Sequence, residues 1–254
     1  MEDVRIIYKE RPQLNDPILI EGLPGVGNVG KLAADHLIAQ LKATKFAEII
    51  SKHFPPQVLV LPDGTVRLVN NELYYWKAND PTQRDLLILI GDYQGLTADG
   101  QYVLVSRLLD LCEEYGCKML YTLGGYGTGK MLEKPRVLGA ATDKELVKDM
   151  KKHNVLFRKN EPGGGIVGAS GLLLGMGMVR GMRGVCLMGE TSGYLVDPKS
   201  AQSVLEILSA ILNVKVDFSD LEQRAEQMDK LAQQLRDLEH AAENPTEEDL
   251  RYIG

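Results

Sequence analysis

A three-layer α/β/α sandwich around a mixed, mainly parallel sheet is the fold class this sequence predicts, and three observations predict it. Short apolar runs alternate with helix-length segments over most of the 254 residues, the pattern of strands feeding helices. Two of the runs, LLILI at 86–90 and VCLM at 185–188, lack polar alternation, as strands do when helices cover both of their faces. A third run, at 18–20, passes through a glycine-rich turn directly into an amphipathic stretch at 29–41, a tight strand-to-helix connection.

Taken in order, the first strand is 18–20 and the first helix 29–41, where the apolar positions fall on one face. Strands follow at 46–50, 58–61, 65–68 and 73–77, and the LPDGT segment at 61–65 reads as a hairpin turn. An antiparallel extension of the sheet is therefore expected there. The buried run 86–90 precedes a helix at 100–115, the strand 119–123 precedes a helix at 143–153, and a helix at 166–179 leads to the strand 185–188. Pro198 directly after Asp197 marks the start of a helix at 198–212. A ligand or an interface is expected along the carboxyl ends of the strands.

The glycine-rich segments invite a nucleotide site. Gly25, Gly27 and Gly30 fit GxGxxG, and Gly25, Gly30 and Lys31 fit GxxxxGK of a phosphate loop, but Leu32 stands where a hydroxyl should hold magnesium. A second near-match, GGYGTGK at 124–130, ends in Lys130 and is followed by Met131. Two imperfect phosphate loops point first to architecture, that is, to two tight strand-to-helix turns. The alternative is a nucleotide-binding enzyme, an ATP-dependent carboxylate ligase or a nucleoside phosphorylase-like protein. In it Lys31 and Lys130 would bind phosphates and Glu21, Asp92 or Glu190 would hold magnesium. In the architectural reading Glu21 instead pairs with a base such as Lys31 or Lys130.

Other chemistry is sparse. His36, His53, His153 and His240 are scattered and form no HExxH, so no metal site is expected and His36 reads as a packed or surface residue. Ser170 in GASG and Ser192 in GETSG lie outside any GxSxG nucleophile elbow, and Ser192 reads as closing a turn. Cys112, Cys117 and Cys186 lack CxxC spacing and read as reduced, buried thiols. Gly163, Gly164 and Gly165 would open the 166–179 helix with free N–H groups able to bind an anion. Gly171, Gly175, Gly177 and Gly181 would let a neighbouring backbone approach that helix closely.

Composition excludes some partners. Hydrophobic content of 44% and charged content of 25% are ordinary for a soluble domain. Residues 217–254 hold eleven acidic and four basic side chains, a net of −7, which leaves the rest of this −6 chain at +1. A near-neutral body with an acidic tail lacks the basic footprint that nucleic acid requires. The uncharged run 162–179 holds seven glycines and only reaches the lower edge of the ~17–25 residues of a membrane helix. The opening MEDVRIIYKE is too charged for a secretory signal, so a cytoplasmic protein without membrane contact is expected.

The C-terminal part is different in character. Leu221, Met228, Leu235 and Ala242 recur every seven residues, with Leu231 and Leu238 as a second seam that Arg224 interrupts. A coiled coil and a terminal helix packed on the body both fit. Asn244 and Pro245 end that helix, and Leu250, Tyr252 and Ile253 are apolar on an otherwise acidic stretch. The organisation expected is one α/β domain over 1–216, a helix over 217–243 and a flexible tail over 244–254.

Taken together, IEGLPGVGNVGKLAADHLI at 20–38, LILIGDYQ at 87–94, LYTLGGYGTGK at 120–130, GGGIVGASGLLLGMG at 163–177 and GETSGYLVDPKSA at 189–201 resemble the proteasome assembly chaperone 2 family, in an archaeal member. The resemblance implies a fold similar to the purine nucleoside phosphorylase and hydrolase superfamily without its activity. It also implies an ATP-independent chaperone, with no cofactor, that forms homo-oligomers and engages proteasome α-subunits or the core particle. Relatives of this kind dock a tail ending in a hydrophobic residue, tyrosine and any residue between neighbouring α-subunits, with the terminal carboxylate on a lysine. Here the partner-binding residues implied are Leu250, Tyr252, Ile253 and Gly254, with tyrosine third from the end and Arg251 before it. In that register Tyr252 and Ile253 share the apolar contact, and the acidic Glu247, Glu248 and Asp249 favour a basic rim on the partner.

Overall fold

The computed structural model describes residues 3–130, 132–157 and 164–243. Along the chain these form β1 (Val4–Tyr8), β2 (Ile18–Gly22), α1 (Val29–Leu41), β3 (Thr44–Ser51), the short pair β4 (Val58–Val60) and β5 (Val66–Leu68), β6 (Asn71–Trp76) and β7 (Leu86–Gly91). There follow α2 (Ala98–Glu114), β8 (Met119–Gly127), β9 (Val137–Ala141), α3 (Lys144–Lys152), α4 (Ala169–Val179), β10 (Arg183–Thr191), α5 (Pro198–Leu212) and α6 (Ser219–Glu243). One eight-stranded sheet runs in the order β1-β3-β6-β7-β2-β8-β10-β9. Its centre, β7-β2-β8-β10, is parallel; β6, β3 and β1 extend one flank antiparallel, and β9 closes the other. Five of the eight strands therefore run the same way.

The central strands are buried on both faces, so their sequences carry no alternation. In β2, Ile18 and Ile20 pack into one apolar core with Ala33, Leu37, Leu205 and Leu208. Leu19 points the other way, into a second core with Leu108, Leu109 and Leu173. One helical layer is thus α1 with α3 and α5, the other α2 with α4. Each fully buried Leu or Ile contributes roughly 1.5–3 kcal/mol, which favours apolar residues on both faces of these strands; Glu21 of β2 and Thr122 of β8 are buried polar exceptions.

Helix starts follow local chemistry. Thr97 accepts from the Gly100 N–H at 3.1 Å and starts α2 at Ala98, two residues before the predicted 100. Asp143 caps α3 through the N–H groups of Glu145 and Leu146, and Asp197 caps α5 through Ser200 N–H at 2.9 Å. The helix predicted from 166 opens only at Ala169, because Gly168 (φ 95°) and Gly165 (φ 117°) hold backbone that no helix accepts. Gly164 and Gly165 therefore lie ahead of the helix, not at its N-terminus, and Gly163 lies outside the described residues. Only part of the expected glycine stripe is in tight contact: a Cβ on Gly177 would lie 2.7 Å from Leu120 Cδ1, whereas Gly175 faces open space. Gly181, at φ 77°, instead forms the turn that ends α4.

Two strands, β1 and β9, were not predicted. The first is an edge strand whose positions alternate between exposed (Arg5, Ile7) and half-buried, and the second is short and ends in Gly139, Ala140 and Ala141, so neither carries a strong strand signal. The hairpin around 61–65 is present, with Leu61 N–H donating to Thr65 O at 2.8 Å, but it does not extend the main sheet. β4 and β5 pair only with each other, and the antiparallel extension is made by β6, β3 and β1.

His36 is a packed residue. Its Nε2 donates to the Asp217 carbonyl at 2.6 Å and its ring stacks near Phe218, tying α1 to the entry of α6. The first turns of α6 lie on α5 through buried Leu221 and Ala225, whereas Leu231 is 45% exposed. The cysteines at 112, 117 and 186 are buried and reduced. Among the described residues no helix is long and apolar enough to cross a membrane.

Candidate functional site

The carboxyl ends of β2, β7, β8 and β10 gather the glycine loops, and these loops are packed shut. After β2 the chain makes a single 3₁₀ turn (Val26–Asn28) with Gly27 at φ 61° and Asn28 at φ 55° before entering α1. A Cβ on Gly30 would sit 2.1 Å from the Leu123 carbonyl oxygen of β8, and one on Gly27 would sit 2.6 Å from Thr191 Oγ1 of β10. From the other side, a Cβ on Gly125 would meet Val26 O at 2.2 Å. The Asp197 N–H also donates to Gly27 O at 2.9 Å, joining the loop to the cap of α5. Gly27, Gly30 and Gly125 let these segments meet closely, whereas a Cβ on Gly25 would stand clear, 4.0 Å from Gln94 Nε2.

The lysines that would bind phosphate face elsewhere. Lys31 Nζ pairs with Asp35 one turn along α1, at 3.0 Å. Lys130 is exposed in the loop after β8, its backbone N–H donating to Thr128 Oγ1 at 3.3 Å. Met131 lies outside the described residues.

Glu21, at the end of β2, is fully buried and contacts neither lysine, so the expected ion pair is absent. Its carboxylate accepts from Leu23 N–H at 3.0 Å and from the Ser170 hydroxyl at 2.8 Å. Burial pushes this carboxyl up to about 7, and the hydrogen bonds of Ser170 and Leu23 oppose the rise without cancelling it. In place of Lys31 or Lys130, the backbone of Leu23 and the hydroxyl of Ser170 in the first turn of α4 satisfy it.

The other two strand-end carboxylates are also committed. Burial raises Asp92, but the bidentate Arg67 guanidinium (2.6 and 2.9 Å) and Asn70 N–H (2.9 Å) outweigh it and hold the carboxyl below its ordinary range. Glu190 accepts from Arg136 Nε at 2.7 Å and from the Arg136 N–H at 3.2 Å. With three carboxylates on three partners, no group of His, Cys, Asp and Glu among the described residues is arranged to hold a metal ion. Ser192 is 8% exposed and accepts from Tyr194 N–H at 3.4 Å, as a turn-closing residue does.

One residue that pattern reading passed over organises this end of the molecule. Gln94, in the LILIGDYQ segment, donates to Pro24 O at 2.8 Å and accepts from Ala169 N–H at 3.0 Å. It therefore ties the glycine loop to the N-terminus of α4, where Gly168 offers no side-chain cap. A glutamine in the loop after a strand carries no sequence signal for such a role; only the turn geometry identifies it. Around the same loops Val26, Tyr194 and Val196 are exposed, Tyr194 at 83%. The glycine turns themselves are thus filled, with apolar side chains exposed beside them. Leu250, Tyr252, Ile253 and Gly254 lie outside the described residues, beyond the end of α6 at Glu243.

Comparisons place this geometry among known proteins. The model of the PAC2 family matches residues 19–236. An uncharacterised protein of Methanocaldococcus jannaschii is 44% identical over 252 residues, covering 97% of this chain and 95% of that one. The crystal structure of Pyrococcus furiosus PbaB, an archaeal proteasome activator, superimposes with a TM-score of 0.89 at 44% identity, over 93% of this chain and 100% of that one. Pyrococcus furiosus PbaA, an archaeal homologue of proteasome-assembly chaperone, does so at 0.77 with 25% identity, over 99% of each chain.

Proposed function

Because this chain belongs to the PAC2 family, we propose that it is a non-enzymatic, ATP-independent chaperone or adaptor of the proteasome. It self-associates and binds proteasome α-subunits or the assembled core particle in the cytoplasm. The observation that carries this reading is the likeness, in sequence and in fold, to an archaeal proteasome activator along that protein's whole length. The packed glycine loops support it, because Gly27 and Gly30 spend their missing side chains on contacts with β8 and β10 and leave no cradle for a phosphate.

The mechanism assigns different work to different parts. Residues 1–216 form the rigid body, 217–243 carry the tail away from it, and 244–254 dock. Leu250, Tyr252 and Ile253 supply apolar contact between α-subunits, and the Gly254 carboxylate meets a basic group on the partner. Several copies joined in one oligomer present several tails to a ring, which raises the effective concentration of each after the first has bound. A pull-down of purified α-subunits and of core particle by the full chain, in EDTA and without nucleotide, tests the assignment. Retention of either partner is expected; retention that appears only with magnesium-ATP overturns ATP independence, and no retention of either overturns the function.

A further inference from the structure

α6 runs back along α5. Glu222 meets Gln202 at 3.4 Å and Asp229 meets Lys199 at 2.6 Å, in opposite order along the two helices. It therefore reaches the carboxyl end of the sheet near Asp229 and continues to Glu243. Between it, the β10–α5 loop and the loop after β8 lies an open groove of about 420 Å³. Leu132, Leu195, Val196, Ala225 and Met228 give the groove its apolar lining, and Val196 is 45% exposed. Two of its carboxylates are committed, Asp197 to the cap of α5 and Asp229 to Lys199. Glu133, exposed on the rim, meets no cation among the described residues. An apolar trough with one free anion on its rim suits an apolar segment that carries one cation.

The chain itself supplies such a segment, and the lengths match. Residues 244–254 hold apolar Leu250, Tyr252 and Ile253, and Arg251 is their single cation. At 1.5 Å per helical residue, Glu243 stands ~15 Å beyond Gln233 and ~22 Å beyond Met228, the two α6 residues that bound the groove. With Asn244 and Pro245 turning the chain back, an extended course of ~3.3 Å per residue carries Leu250 ~17 Å and Tyr252 ~23 Å down the helix. Leu250 thus comes level with Gln233 and Tyr252 with Met228. Glu247, Glu248 and Asp249 stay above the groove, clear of its carboxylates. So short a tether holds the tail at an effective concentration of about 1 mM, at which a contact with a dissociation constant of ~0.1 mM is about 90% closed.

We propose that this groove holds the chain's own C-terminal tail, with Leu250 and Tyr252 on the apolar lining and Arg251 paired with Glu133. A partner that takes the tail must first displace it from the groove. That consequence rests on the reading that the tail docks on the proteasome; the contact itself does not.

Trimming of the full chain by a carboxypeptidase, followed by intact mass, tests the contact, because cleavage tracks the open population. Loss of Gly254 and Ile253 is expected to be at least ~10-fold slower in the native chain than in a free peptide of residues 244–254. Val196→Glu, at a half-exposed position, should restore the peptide rate, and Met228→Glu serves as a second variant of the lining. Glu133→Arg should speed trimming, and the added Arg251→Glu should slow it again. The factor gained in trimming by Val196→Glu should reappear as a gain in core-particle affinity, since a tail free for a fraction f has its dissociation constant divided by f. Native trimming at the peptide rate overturns the groove contact. Slow trimming that survives Val196→Glu, Met228→Glu and Glu133→Arg also overturns it, by placing the tail elsewhere. Fast trimming of the variants without a gain in affinity, for a core particle that the native chain binds, overturns the displacement step alone. Slow native and fast variant trimming with no core-particle binding by any chain supports the contact and overturns the proteasome reading.

Discussion

Glu21→Gln is expected to stabilise the protein at alkaline pH and to have little effect at acid pH. The carboxyl is fully buried, with an ordinary value of 4.5 in the unfolded chain and about 7 in the folded one. Below about 4.5 it is protonated in both states and its burial is tolerated. Between about 4.5 and 7 the folded state holds a proton that the unfolded state has released, so stability falls as pH rises; above about 7 the loss is complete. At ~1.4 kcal/mol for each tenfold change in proton affinity, the interval corresponds to about 3 kcal/mol. Glutamine keeps the carbonyl that accepts from Leu23 N–H, and its amide can donate to Ser170 Oγ where the carboxylate accepted, so the local bonds survive. Urea unfolding of both proteins at intervals from pH 4.5 to 9 reads the effect as a difference in midpoint at constant slope. A gap between variant and native protein that widens by about 3 kcal/mol from pH 4.5 to 8 is expected. Parallel profiles across that range would refute the assignment of a shifted buried carboxyl at this position.

Three further outcomes are expected. Gly30→Ala should cost ~3 kcal/mol or more, or abolish folding, because its Cβ meets the Leu123 carbonyl at 2.1 Å, whereas Gly25→Ala, in open space with extended φ, should shift stability by less than ~1 kcal/mol; chemical denaturation of the pair checks this. Arg67→Ala should loosen the hairpin by about 1–2 kcal/mol through loss of the bidentate contact to Asp92, seen as faster hydrogen exchange in residues 58–68 with the central sheet unchanged. Magnesium-ATP and magnesium-GTP should leave the melting temperature where it is; a nucleotide bound at ~100 times its dissociation constant would stabilise by about 2.7 kcal/mol, and a shift of that size would revive the enzyme reading.

How much the sequence discloses depends on whether the deciding interaction is local. α1 at Val29–Leu41 and α5 at Pro198–Leu212 match their predicted bounds, because periodicity and a start signal at Asp197–Pro198 lie in the same few residues. The runs at 86–90 and 185–188 were legible as doubly covered strands for the same reason. β9 was not, since its place at the sheet edge is set by pairing with β10, some forty residues later, and VLGAA carries little strand preference of its own. At the strand ends the glycines were legible as architecture, yet their partners Leu123, Thr191 and Val26 were not, because each contact joins distant segments. The same limit hid Ser170 as the partner of Glu21, 149 residues away, and Arg67 as that of Asp92. The strands at 58–61 and 65–68 were legible, but which of their faces the body would claim depended on Arg67, whose partner Asp92 lies 25 residues on.

Titration of assembled core particle with the full chain and with a chain ending at Arg251 tests the central claim most directly. The account predicts that removal of Tyr252, Ile253 and Gly254 weakens binding by at least ~30-fold while the melting temperature and the oligomer mass stay the same. Equal affinities for the two chains would contradict tail docking and move the proteasome contact to the body.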